Sequence, residues 1–425
     1  MTARFRVEDL EALCRRAAWS WDQWAVEARV NRRTFDRIRN KGNRPRGDTV
    51  LALVDALKRK NPKEFADLSG SALGPRGRRR GRTSPSRRCP GCAPGRRVRR
   101  PRCGPRQPLP PLGPAVPPAF IGRTGLLREL ERAALEGFGL SLVGERRMGK
   151  TSLLCTWAGR AAELGYTVRL LSGQGPERLG HREFTAAVIA GPAVDAGAGS
   201  GLAAAEQCAL PESPDGAADR LADWCRGTRA ASGGRRPILL LDEADTFLVR
   251  CERDFLVRLR GLLTERELSL AVATGRTLPA LYAEQGRTSP FANALQLRRV
   301  ALLDEASARG LIARGADRWQ DDDPDWLLDW AGTQAFYLSL LARGLYDARG
   351  DGEPRERVLD HFRDEAVNQQ FAPWWAALDD GARTALRRAA AGESVDGAEW
   401  RERGLLTQDN RPFARVLTQW LNETH

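Results

Sequence analysis

Long apolar runs are missing from this 425-residue chain. None approaches the ~18 consecutive apolar residues of a membrane-spanning helix, so neither a transmembrane anchor nor a membrane partner is expected. No apolar stretch follows the N-terminal arginines either, which argues against a secretory signal peptide. Cysteine is sparse and unpatterned: eight residues are scattered without the spacing of a disulfide framework, and Cys155 falls inside a predicted helix. A reducing, cytoplasmic setting is the expectation. Cys89, Cys92 and Cys103 lie close together, but with no fourth ligand and no nearby histidine they do not make a zinc ribbon. Residue sets of the kind used by nucleases, proteases or kinases are missing too, so effector chemistry of that sort would belong to a partner protein.

Acidic residues are absent from 72–118, which hold thirteen Arg and no Asp, Glu or Lys. Residues 1–70 carry a further +6, so within the total of +14 the rest of the chain carries −5. The basicity is confined to the N-terminal third, and that asymmetry points to a localised anionic partner. Residues 71–118 are rich in Arg, Pro, Gly and Ser and lack periodicity. Such a stretch buries too little apolar surface to offset its ordering entropy, and it is expected to be a disordered linker. Its arginines could hold nucleic-acid backbone without sequence preference, or the stretch could be a plain tether.

What is present is organised around Gly139-Leu-Ser-Leu-Val-Gly-Glu-Arg-Arg-Met-Gly-Lys-Thr151. Leu140, Leu142 and Val143 suit a short buried strand, and 152–164 reads as a helix. Between them Gly144, Gly149, Lys150 and Thr151 fit G-x-x-x-x-G-K-[ST]. Glycines let the loop of Gly144, Glu145, Arg146, Arg147, Met148 and Gly149 curl until its N–H groups face a phosphate. The helix opening at Lys150, Thr151 and Ser152 adds the positive end of its dipole. Lys150 can then reach β- and γ-phosphates, and the Thr151 hydroxyl can ligate Mg²⁺. ATP or ADP with Mg²⁺ is the expected cofactor.

Pro237-Ile-Leu-Leu-Leu-Asp-Glu-Ala-Asp245 is an apolar strand ending in acids. A buried parallel strand of this kind delivers Asp242 near the phosphate loop, where it can hold Mg²⁺ directly or through water. Glu243 is then placed to orient or deprotonate an attacking water. Tyr166 to Leu171 reads as another strand, and 191–216, rich in Ala and Gly, as a surface excursion.

Upstream, Phe120-Ile-Gly-Arg-Thr-Gly-Leu-Leu-Arg-Glu-Leu130 resembles the F-[VI]-G-R-x-x-x-[LI] box of STAND-type regulatory ATPases and of origin-recognition-like AAA+ ATPases. The resemblance implies that Phe120, Ile121, Gly122 and Arg123 pack by an adenine ring. Leu268-Ser-Leu-Ala-Val-Ala-Thr-Gly-Arg276 resembles the sensor strand of the same families, which makes Thr274 and Arg276 candidates for sensing the γ-phosphate. The segment 295–311 resembles their passage into a helical lid. Within 330–341 Gly332 and Phe336 fit the lid motif G-[GN]-x-P-[FY], with Ala335 in place of its proline. From Asp360 the chain resembles a winged-helix unit whose core would be Leu386, Leu405, Leu406, Val416 and Trp420. The His-Asp signature that some STAND members use on ADP is missing, and His361 reads as an ordinary surface residue.

Residues 5–62 resemble the Cro/repressor-type helix-turn-helix domain, through Trp24-Ala25, Val30-Asn31, Phe35, Ile38, Gly42, Pro45 and Leu51, with Arg29 where the family has glycine at the turn. Asn31, Arg32, Arg33, Asp36 and Arg37 occupy the outward positions of its expected recognition helix. Guanidiniums there suit phosphates and guanine edges in a major groove. A solvated basic helix in a protein-binding bundle fits the same residues. A single copy of the domain implies self-association or help from elsewhere for useful affinity.

The expected organisation is therefore an all-α helix-turn-helix domain over 1–70 and a linker over 71–118. An α/β P-loop NTPase core, a parallel sheet with helices on both faces, follows over 119–302. A helical lid (303–358) and a C-terminal winged helix (359–425) complete it. The leading functional expectation is a regulatory ATPase in which nucleotide state governs DNA binding or assembly. Its catalytic candidates are Lys150, Glu243 and Arg276, its metal candidates Thr151 and Asp242, and an effector protein is a possible further partner. Two alternatives remain open: a nucleotide-stabilised interaction module with negligible hydrolysis, and a DNA-loading ATPase of a transposition or origin-type system. For the head, the fragment 1–70 should bind duplex DNA in a way that weakens steeply with added salt, and replacing Arg32, Arg33 and Arg37 together with Ala should abolish that binding. Unchanged binding in a fluorescence-anisotropy salt series would remove these arginines from the interface.

Overall fold

The computed structural model describes residues 108–424 except 111, 174–179, 192–212, 285, 287 and 289. The expected head, with Asn31, Arg32, Arg33, Asp36 and Arg37, lies outside the described residues, as does most of the expected linker. The described residues all belong to one compact unit, Pro101–His425.

Helix α1 (Thr124–Glu136) forms because Leu127, Leu130, Ala133 and Ala134 recur on one face, and Gly137 closes it in the left-handed conformation. Strand β1 (Gly139–Val143) is buried at all five positions. The phosphate loop follows, and then α2 (Lys150–Glu163), β2 (Val168–Ser172) and α3 (His181–Ala190). Helix α4 (Pro214–Ala231) starts at Ser213, whose hydroxyl accepts from the Gly216 N–H, with Pro214 in the first turn. Strand β3 (Ile238–Asp242), α5 (Asp245–Arg250), α6 (Arg253–Thr264), β4 (Ser269–Thr274), α7 (Leu278–Ala283) and β5 (Leu295–Arg299) complete the core.

The five strands are all parallel, in the order β2-β3-β4-β1-β5. β1, β3 and β4 are buried along their whole length, as expected of a parallel sheet covered on both faces. Alternate residues serve opposite sides. Ile238, Leu240, Ala271 and Ala273 pack with α1 and α2, whereas Leu239, Leu241, Leu270 and Val272 pack with α3 to α7. The order places β4 between β1 and β3, so Asp242 is one strand removed from the phosphate loop rather than next to it.

Beyond the sheet come α8 (Glu305–Ile312), capped by the Asp304 carboxylate on the Ser307 N–H, then α9 (Asp323–Ala331) and α10 (Ala335–Asp351). Next are α11 (Arg355–Ala366), a π-helical turn at Val367–Phe371, α12 (Ala372–Ala377), α13 (Asp380–Ala390), α14 (Ala398–Arg403) and α15 (Arg415–Thr424). Between α14 and α15 the chain turns through a small antiparallel bridge, Leu406 to Pro412. These helices share one apolar core that includes Leu327, Leu338, Phe371, Leu405 and Leu417. The boundary expected at residue 358 falls inside α11 and inside that core. Asp323, fully buried, accepts from Nη2 and Nε of Arg349 at 2.6 and 2.9 Å. Among the described residues no helix is long and apolar enough to cross a membrane.

The expected linker ends sooner than residue 118. Leu109 is only 3% exposed and joins the core of the C-terminal helices. Arg343 donates to the Leu109 and Pro110 carbonyls at 3.2 and 3.1 Å, and Arg314 donates to those of Pro118 and Ala119. The Ala115 N–H donates to the Ser152 hydroxyl at 2.9 Å. Composition misleads here because one well-placed leucine and a few backbone carbonyls suffice to dock a Pro-rich strap. Leu109→Ala should therefore lower stability by about 2–5 kcal/mol in urea unfolding, the scale of a buried leucine truncation. A variant within about 0.5 kcal/mol of wild type would show that the strap contributes nothing to the fold.

Candidate functional site

The loop after β1 is shaped by what its glycines allow. A Cβ at Gly144 would run into the Val300 carbonyl, and Gly149 has φ +86° as the chain enters α2. The curl encloses the Lys150 ammonium, which donates to the carbonyls of Gly144 at 2.6 Å and Glu145 at 3.1 Å. Burial lowers the Lys150 pKa, while Asp245, Asp242, Glu145 and Glu243 pull it back up. Only five of the chain's 68 basic residues are lysine, and Lys150 is the only one beyond Lys63. A compact point charge fits inside such a curl where a planar guanidinium does not.

Across β4, strand β3 ends at Asp242, and Glu243 follows with φ +50°. That conformation is costly for a residue with a side chain, and the surroundings hold it. The Glu243 N–H donates to the Asp242 carboxylate at 3.1 Å. Gly173, at the end of β2, donates to the Asp242 carbonyl at 2.7 Å and lies so close to the Glu243 carbonyl that a side chain could not fit. Burial, and then the neighbouring Asp242, push the Glu243 carboxyl above its ordinary range. Asp245 accepts the Gly275 N–H on both oxygens, at 3.0 and 3.1 Å, so the turn after β4 is pinned to the start of α5.

Arg146, Arg147, Met148, Gly149, Lys150, Thr151 and Ser152 line one cleft of about 330 Å³ together with Asp242 and Glu243. Phe120, Ile121 and Arg123 line it as well, facing Leu311, Phe336 and Ser339 from the helical part and residues 112–115 of the strap. Gly144 and Glu145 are not on its lining; their carbonyls hold Lys150, which is. Two expected residues point elsewhere. Gly122 packs on Ser307, and Arg276 pairs with Glu284, just past the end of α7, with about half of its side chain exposed. Thr274 is fully buried, its hydroxyl donating to the Arg276 carbonyl at 2.7 Å.

Arg123 does more than border the cleft. Its guanidinium donates to the carbonyl of Met148 and, at 3.0 Å, to that of Ala301, tying the loop to the passage from β5 to α8. Burial lowers its pKa to about 10, partly opposed by Asp304. The loop is also held from the C-terminal side, by Phe336 of the expected lid motif and by Gln334, which no local pattern marks. Gln334 caps α10 with its side-chain oxygen and donates through Nε2 to the Arg147 carbonyl at 3.2 Å. The Arg147 guanidinium lies 4.5 Å from the centre of the Phe336 ring.

No protein-family model matches the chain, and no curated protein does. Solved structures do. A Walker-type ATPase of Pyrococcus abyssi aligns over 72% of this chain and 97% of its own, at 13% identity and a TM-score of 0.50. The fold is that of a P-loop NTPase core. Cdc6p of Pyrobaculum aerophilum aligns over 72% and 97% at 14% identity, with a TM-score of 0.41. The Orc1 protein of Aeropyrum pernix, solved in complex with DNA, aligns over 72% and 95% at 16% identity, with a TM-score of 0.38.

The P-loop residues fit a nucleotide phosphate with its cation. The cradle leaves no room for a Cβ at Gly144, an ammonium lies inside it, and Thr151 and Asp242 offer the hard oxygen donors that Mg²⁺ takes. Arg146 and Arg147 lie on the lining, outside the position that Lys150 holds. Lys150→Ala should therefore weaken ATP binding at least tenfold, a loss of ~1.4 kcal/mol or more. Titration calorimetry showing unchanged affinity, with the thermal melt intact, would remove the phosphate-loop assignment.

Proposed function

We propose that this chain is a Mg²⁺-dependent ATPase that acts as a switch, its nucleotide state governing DNA binding or assembly. The observation that carries the reading is the convergence of Lys150, Thr151, Asp242 and Glu243 on a single cleft. Those residues come from two sequence segments about ninety positions apart.

Each has a role set by its chemistry. Lys150 meets the negative charge of the β- and γ-phosphates from inside the loop. Thr151 and Asp242 hold Mg²⁺, which when bound neutralises charge building on the transferring phosphoryl group. Glu243, adjacent to Asp242 on the strand end, turns its side chain another way and addresses the water. It takes a proton as the water oxygen bonds the γ-phosphorus and the bond to the bridging oxygen breaks, releasing ADP. The raised pKa of its carboxyl suits a base better than an ordinary glutamate would. Phe120, Ile121 and the apolar strap form the wall for the base. In this reading Arg276 belongs to the surface around α7 rather than to the phosphates.

The head over 1–70 is the proposed DNA-binding element, aided by the arginines of the linker, with self-association supplying avidity. Helices α13 to α15 with the Leu406–Pro412 bridge are read as the winged-helix unit, and α8 to α10 as the lid.

Glu243→Gln separates a working ATPase from a protein that merely holds nucleotide. It preserves shape but removes charge and basicity. ATP affinity should be retained while turnover falls ~10²-fold or more, the scale of a lost general base. The variant should accumulate the ATP-bound form, seen as altered DNA binding or assembly size. Wild-type turnover no higher than background, with the variant indistinguishable from it, would leave a nucleotide-stabilised binding module.

A further inference from the structure

A glutamate in a phosphate-binding loop is an electrostatic liability. Glu145 is the first residue after Gly144, its carbonyl accepts from Lys150, and its side chain is only 14% exposed. A carboxylate there opposes an anionic ligand unless something cancels it. The cancelling charge comes from 258 residues away. Arg403, the last residue of α14 and itself 16% exposed, donates to one Glu145 carboxylate oxygen through Nη2 at 2.9 Å and Nε at 3.2 Å. Its Nη1 donates to the more exposed Asp379, just ahead of α13, at 2.7 Å. Burial alone would lower the Arg403 pKa, but the two carboxylates outweigh it and raise it.

The seat around this pair is tight. The Arg403 guanidinium lies 5.3 Å from the centre of the Trp400 ring. At Gly404, which has φ +78°, an added Cβ would come within 2.9 Å of the Met148 methyl of the loop and 3.1–3.2 Å of the backbone at Leu302 and Ala301. The end of α14 therefore rests directly on the phosphate loop.

We propose that Arg403 is a positioning residue for the phosphate loop: by neutralising Glu145 it makes the docking of α13 and α14 part of the nucleotide site. The inference rests on the nucleotide reading above and adds what that reading lacks, a C-terminal element on which phosphate affinity depends. Removing Arg403 leaves the Glu145 carboxylate largely buried and unpaired within the phosphate loop, a penalty that grows with the charge of the ligand.

The test is a double-mutant cycle on the full chain, with Mg-ATP and Mg-ADP affinities measured by calorimetry for wild type, Arg403→Ala, Glu145→Gln and the double variant. Arg403→Ala should lose ~10-fold or more in ATP affinity, and less for ADP, the scale of one uncompensated charge in a partly buried site. The double variant should recover most of the affinity that Arg403→Ala loses and bind like Glu145→Gln, because with no carboxylate there is nothing to neutralise. A merely structural role for Arg403 would leave the double variant as weak as Arg403→Ala, and that outcome overturns the proposal. So does Arg403→Ala binding with wild-type affinity. Should wild type bind ATP independently of Lys150, or not at all, the nucleotide reading itself falls and this inference with it.

Discussion

An ammonium enclosed by a curl of backbone is the constraint on which the site depends. Lys150 is held by two carbonyls of the loop that precedes it, which fixes the curl and brings its own charge to the mouth of the cleft. That arrangement asks for conformations and close approaches that only glycine allows at the loop's two ends, and for a cation without a planar fork. It also asks that the loop's outer surface be supported, since a curl of this kind has few internal contacts. Arg123, Gln334, Phe336 and Arg403 supply that support from three separate parts of the chain.

The sheet order supplies the second half of the geometry. With β4 inserted between β1 and β3, the turn after β4 lies between the loop and the acids. The Gly144 N–H donates to the Thr274 carbonyl at 3.3 Å, and Ala244 donates to that of Ala273 at 2.9 Å. The middle strand therefore holds both flanking turns through its own backbone. Asp245 closes the arrangement by pinning Gly275. The left-handed backbone at Glu243 persists because these contacts, together with Gly173, leave it little alternative.

How much of this is legible in the sequence follows from what is local. The phosphate loop and the acids after β3 are contiguous runs whose flanking apolar patterns announce strand and helix, so their placement on one cleft can be read before any coordinates. Phe120, Ile121 and Arg123 are reached through motif resemblance, though the same resemblance puts Gly122 at a base pocket when it packs on Ser307. Arg276 shows the limit more sharply: its spacing after β4 suggests a phosphate, yet an acid eight residues on captures the side chain. Strand order is not encoded in any single strand, and Arg403 is one arginine among many until the fold sets it beside Glu145. The strap hides in its own composition. Thirteen arginines and repeated prolines dominate 72–118, although the last of those arginines is Arg106 and the described residues begin just beyond it.

The strap also ties the two sides of the cleft together. Leu109 is buried among the C-terminal helices, and Arg343 of α10 holds the carbonyls of residues 109 and 110. Six residues later the Ala115 N–H rests on Ser152, in the first turn of the P-loop helix. One short, proline-stiffened segment therefore spans the helical part and the core, across the mouth of the cleft they share. Rotating those two parts against each other must stretch this span or break one of its ends.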